Sequence, residues 1–220
     1  METVFVALIA YATYHLALWI VILILWSMPD GLKWSLDQLG LESVADIVAT
    51  PLVAAVLWIA TQMARRDFAE YLALNWPSLE ELMRALAITA IILLTEILAR
   101  YAVGAPHASL PYANADQTDG LLIFLIGACI AAPVTEEFVF RGFIFRGWSE
   151  SFLGPVGCIL LTSAVWAMLH VQHGWFGRFF IFVSGLALGY FRWRSNSTWL
   201  PITVHSAMNV FLAVAAGLRI

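Results

Sequence analysis

The sequence predicts an all-α fold: a polytopic transmembrane helical bundle of about seven spans. Three observations carry this. Hydrophobic residues make up 62% of the 220-residue chain and charged residues 12%, about half the charged share of a soluble domain. Apolar runs recur at lengths near the roughly 20 residues a helix needs to cross hydrocarbon. None alternates apolar and polar every second residue, as a membrane β-barrel would, and lipid leaves helices as the other way to satisfy a spanning backbone. The same composition excludes a disordered chain, a collagen and a soluble domain, which could not cover its surface with so few polar groups.

The runs free of Asp, Glu, Lys and Arg fall in order along the chain. Thr3 to Pro29 is the first, with His15 as its one titratable group, read as a helix–helix hydrogen-bonding residue. Ile47 to Ala64 is the second. The third begins at Ala85 and extends to about Arg100, where Glu96 and Arg100 read as an interfacial pair. Gly120 to Thr135 is the fourth, interrupted by Glu136 and Glu137. Ser151 to Gly177, Phe179 to Phe191 and Ser195 to Leu218 complete the set, with Arg178 and Arg192 expected to snorkel from the ends of the sixth. The segment from Arg65 to Arg84 reads as a surface turn whose Ser78 and Glu81 suit the cap of the third helix. Asp30 to Asp46 and Val103 to Asp119 are the longest connections.

Global features add less. Net charge is −4 and the eleven Lys and Arg are scattered, so no nucleic-acid partner is expected. Cys129 and Cys158 lie in apolar runs and read as buried thiols. The first run has no Lys or Arg before it and is too long for a signal-peptide core, so it reads as a span. Seven spans would put six Lys or Arg on the N-terminal side and four opposite, which favours a cytoplasmic N-terminus.

Chemistry is expected where ionisable groups lie at membrane depth, because each is costly there. Glu136, Glu137 and Arg141 put three charges within six residues. Glu137 and Arg141, four apart, can pair along a helix. Glu136 points about 100° away and must face something else. Candidate partners are His170 and His173 at the end of the fifth run, and His205 and Asn209, which share a helix face in the seventh. At 1.5 Å per residue, Glu136, His170 and His205 lie roughly 16, 22 and 12 Å from a common boundary, so a shared site is geometrically allowed. A carboxylate and a neutral imidazole there could activate water against a carbonyl, and a second histidine with an amide could stabilise the oxyanion. No Ser or Cys stands in a comparable setting. Pro133 could bend its helix and free a carbonyl.

In this order on separate apolar segments, Glu136-Glu137-x-x-x-Arg141, Trp166-x-x-x-His170 and His205-x-x-x-Asn209 resemble the motifs of the CPBP family, the CAAX-protease and bacteriocin-processing (ABI) family. The second motif departs from the family pattern, with Trp166 where Phe is usual. The resemblance covers about Asp119 to Ala216 and divides the chain into N-terminal helices (1–118) and a catalytic core (119–217). It implies a glutamate-dependent intramembrane endopeptidase whose helical core encloses a water-filled cavity within the membrane, in which Glu136 and His170 activate water, His205 and Asn209 form the oxyanion hole, and Glu137 and Arg141 brace the site. It further implies a membrane-associated peptide or protein substrate and no cofactor. Zinc is the alternative, since two histidines and a glutamate can make a catalytic site, but His170 and His205 lie on different helices and no His-Glu-x-x-His is present. Short loops suit a prokaryotic cell membrane. A proton-coupled transporter and a non-catalytic immunity or scaffold protein are the competing readings of the same polar groups.

Overall fold

A computed structural model describes residues 2–27, 38–104 and 118–217; the loops around Asp30 and between Ala105 and Gln117 lie outside the described residues. Every regular element among these is helical. They run α1 (Glu2–Ser27), α2 (Gln38–Met63), a short α3 (Phe68–Tyr71), α4 (Leu79–Val103), α5 (118–149), α6 (Gly154–Leu169), α7 (Trp175–Ser195) and α8 (Trp199–Gly217). Seven of these are long, where about seven spans were expected. Four stretches, Glu2–Ile24, Gly40–Met63, Leu79–Val103 and Leu121–Ser149, have the length and apolarity to cross a membrane, while Gly154–Leu169 and Trp199–Ala215 are shorter apolar helices. The remaining one, α7, carries Arg178, Arg192 and Arg194.

Several boundaries differ from the sequence reading, each for a local reason. The fourth run does not stop at Glu136, because Arg141 and neighbouring helices satisfy the charges and α5 continues to Ser149. The fifth run breaks at His170, so α7 begins at Trp175, earlier than expected. Asp46, read as the end of a loop, lies inside α2 and is buried. The expected cap is present: Ser78 accepts from Glu81 N, and the Glu81 carboxylate accepts from Ser78 N at 2.8 Å. The α4 C-cap is Gly104 at φ 65°, left-handed backbone that glycine adopts without cost.

The bundle is inside-out relative to a soluble protein. Phe5, Leu8, Trp19, Leu23, Ile91 and Leu98 are exposed on its outside, whereas Glu137, Arg141, Arg192 and His205 are buried. The central element is α5, which contributes Phe140 and Ile144 to a core with α4, α6, α7 and α8, and Phe138 and Phe143 to a second core with α1 and α2. Small residues allow close approach, as in membrane bundles generally. A Cβ at Gly127 would lie 2.5 Å from the Ser43 Cα of α2, and one at Gly185 would lie 2.9 Å from the Ser163 Cβ of α6.

Two π-helical turns punctuate α5, at Gly127–Ala131 and Phe138–Ile144. Such turns shift the hydrogen-bond register and are frequent at functional sites. In the first, the Ala132 N–H donates to Gly127 O. The next residue, Pro133, has no N–H, so in that register the Ala128 carbonyl is left for another donor. In the second, Arg141 O accepts from Arg192 Nε at 2.9 Å. Arg192 therefore does not snorkel: it turns inward and lies over the Phe145 ring.

Candidate active site

Glu137 and Arg141 face the interior together. The Glu137 side chain is completely buried and Arg141 is 1% exposed, with Nη1 donating to Oε1 at 2.7 Å. Such a pair is costly in the interior unless its remaining groups are bonded; Glu137 Oε2 and Arg141 Nε are buried without a hydrogen-bond partner, while the pair's other atoms are engaged. Arg141 Nη2 donates to Gly185 O at 3.2 Å, the guanidinium carbon lies 4.8 Å from the Trp166 ring centre, and Glu137 Oε1 also accepts from His205 Nδ1 at 2.9 Å.

Glu136, half-buried, points the other way. Its Oε2 accepts from Trp166 Nε1 at 2.5 Å. The flank of α5 on its side meets α1 and α2, where the Tyr14 hydroxyl donates to Asp46 Oδ1 at 2.9 Å and the Thr50 and Thr135 hydroxyls bond at 2.8 Å. Tyr14 thus makes the interhelix bond expected of His15, whose ring packs edge-on against those of Tyr11 and Tyr14 on its own helix.

The other expected residues meet at a cavity of about 120 Å³ lined by Trp166, His170, His173, His205 and Asn209, with Glu96 and Arg100 also on its wall. At roughly 30 Å³ per molecule of liquid water, that is room for a few waters. The C-cap of α6 is His170, where the chain leaves helical geometry. Its Nδ1 lies 2.8 Å from Trp166 O; a carbonyl can only accept, so Nδ1 carries the proton and Nε2 is left as a lone-pair base. Asn209 Nδ2 donates at 2.7 Å to Ala128 O, the carbonyl that Pro133 cannot serve. The freed carbonyl thus fixes the amide, which keeps a second N–H.

The groups are gathered around one indole. Trp166 donates to Glu136, its ring meets those of His170 (4.9 Å) and His205 (5.3 Å) edge-on, and Arg141 covers it. Glu136 does not itself line the cavity; it reaches the cavity wall through Trp166. Over residues 118–211 the sequence matches the family described as Rce1-like, type II CAAX prenyl endopeptidase. This segment, less than half of the chain, is similar to the CAAX-protease family. The match covers α5 to α8 and so includes Glu136, Trp166, His170, His205 and Asn209. No curated protein and no solved structure matches the chain.

The structure adds members to the candidate site. The Glu96–Arg100 pair (2.5 Å), expected at the interface, is partly buried and lines the cavity, with Arg100 over the Phe176 ring. His173 lines it too, and burial, helped by the nearby charges of Arg100 and Arg178, pushes its pKa below the usual histidine value. Among the described residues no three His, Cys, Asp or Glu side chains are grouped as a metal centre would need.

Proposed function

We propose that the protein is a glutamate-dependent intramembrane endopeptidase of a membrane-associated peptide or protein substrate, working without a metal. The supporting observation is the convergence of Glu136, His170 and His205 on Trp166, with Asn209 on the wall of the same cavity. Water entering from the cavity past the Trp166 edge, bound between the Glu136 carboxylate and His170 Nε2, loses a proton to this pair as its oxygen attacks the scissile carbonyl carbon. The charge on the carbonyl oxygen is met by the second Asn209 N–H and by His205. Because His205 already gives its Nδ1 proton to Glu137, it donates from Nε2 only as an imidazolium, and Glu137 supplies the counter-charge. The proton taken from water passes to the leaving amine as the C–N bond breaks. Glu137 and Arg141 act through His205 and through packing on Trp166. The expected residence is a prokaryotic cell membrane.

The decisive test uses the full chain in proteoliposomes with a panel of membrane-anchored reporter peptides, products read by mass spectrometry. Glu136→Gln abolishes cleavage while insertion and thermal midpoint are retained. Cleavage by that variant at the wild-type rate would leave a scaffold or immunity protein with a structural polar core. A chelator wash leaves the rate unchanged; activity lost on stripping and restored by zinc would replace the metal-free mechanism.

A further inference from the structure

We propose that Arg178 is a positioning residue for His170, holding the turn that carries the imidazole; this rests on the reading of His170 as the water-activating base. The helix α6 ends at Leu169, and α7 begins at Trp175 after Gly174 in extended backbone. The five residues between leave a run of carbonyls at the C-terminal end of a helix, where they lack helical partners. Two backbone bonds bend the turn, from Val171 N to Leu169 O (2.8 Å) and from His173 N to His170 O (3.1 Å). The guanidinium of Arg178 then gathers three of its carbonyls. Nε donates to His173 O at 2.8 Å and to His170 O at 3.3 Å, and Nη2 donates to Val171 O at 2.9 Å.

The position of this arginine supports the assignment. A cation in the first turn of a helix opposes the helix dipole, and among the described residues Arg178 forms no salt bridge. It stands instead beyond the negative end of α6, where the carbonyls of the turn accept from it, and it lies over the Trp175 ring. Carbonyls in several directions suit a planar fork of donors rather than the point charge of a lysine. The consequence for His170 is direct. Its Nδ1 reaches Trp166 O only while the backbone at 170 is held where it is, and that bond is what leaves Nε2 facing the cavity as a base. Loss of the clamp frees the ring to exchange its two nitrogens.

Two variants, Arg178→Lys and Arg178→Gln, test this in the reconstituted full chain on whichever reporter peptide the wild type cleaves. The rate constant kcat falls about 10- to 100-fold, the scale set by small displacements of a catalytic group, while KM stays within about twofold. Nitrogen-15 spectra of histidine-labelled protein, with the His170 signal assigned by its loss in His170→Gln, show the Nδ1–H tautomer in wild type and a mixture in Arg178→Gln. Wild-type kcat in both variants, a change confined to KM, or an unchanged tautomer overturns the proposal. If Arg178→Gln does not fold, Arg178→Lys carries both measurements. The two readings fail separately. Cleavage by Glu136→Gln removes the catalytic reading and leaves the tautomer result standing, whereas an inactive Glu136→Gln beside wild-type Arg178 variants removes the clamp alone.

Discussion

Glu136 and Glu137 are adjacent in sequence and have opposite surroundings. Glu137 is completely buried, and its Oε1 binds both an arginine and a histidine. Glu136 is half-buried, and one indole N–H is the donor it is seen to accept from. The 100° between successive helical residues sends one carboxylate into the α6–α7–α8 interior and the other toward the α1–α2 flank and the Trp166 edge. A carboxylate with its charge matched by fixed partners is a poor base and a good brace. One held by a single neutral donor keeps lone pairs for a proton. The difference assigns the two residues separate jobs, and substitution on each face can break that assignment.

The largest effect is expected at Glu136. Glu136→Gln keeps the shape and still accepts from Trp166 Nε1, so the fold is retained while cleavage falls by about 10²–10⁴, the usual contribution of a general base. Glu137→Ala should do the reverse. It strands Arg141 and removes the partner of His205 Nδ1, and breaking a buried pair from one side costs about 3–5 kcal/mol. A large drop in thermal midpoint in detergent is the readout. Should Glu137→Ala keep its stability and lose only activity, the contrast between brace and base would be gone.

An intermediate effect is expected at the indole between the two faces. Trp166→Phe restores the aromatic residue usual in the family motif and keeps most of the packing, but removes the donor to Glu136. A hydrogen bond to a charged group contributes about 1.5–3 kcal/mol, so kcat should fall roughly ten- to hundred-fold with KM little changed. A wild-type kcat in Trp166→Phe would show that Glu136 is oriented by something else, such as the Tyr14–Asp46 flank.

Much of this was legible in the sequence. The paucity of charge and the apolar runs sufficed for the bundle, because membrane burial leaves a one-dimensional record of length and apolarity. The i,i+4 spacing sufficed for the Glu137–Arg141 pair and for His205 beside Asn209, because both lie within one helix. What crossed between helices was hidden. Trp166 could be read as an aromatic substitution, but nothing in its spacing indicates that Nε1 reaches Glu136 thirty residues earlier. Asp46 sat at the edge of a run, where a carboxylate resembles a loop residue, and its partner Tyr14 lies 32 positions away. Arg178 and Arg192 were expected to reach for water. The carbonyls that hold them belong to a turn and a π-helical register that charge patterning does not encode. Pro133 was the exception, because its missing N–H points to an orphaned carbonyl, and one is found at Ala128 bonded to Asn209.

The smallest expected effect concerns His173, on the cavity wall but outside both faces of α5. Burial and the positive charges nearby hold its pKa below the ordinary histidine value, so the folded protein binds that proton less readily than the unfolded chain does. The sign follows from linkage: as pH falls through the unfolded value near 6.5, the unfolded chain takes up the proton first and the folded state loses stability. Above that pH the group is neutral in both states and costs nothing. Thermal midpoints of the wild type in detergent should therefore fall between about pH 7.5 and 5.5, and His173→Ala should remove part of that fall while leaving the midpoint at pH 7.5 nearly unchanged. An identical acid dependence in the two proteins would mean that His173 is freely protonated in the folded state. In that case its position beside Arg100 and Arg178 would have to open in solution, and the cavity wall would be less fixed than the Glu136 and Glu137 faces it adjoins.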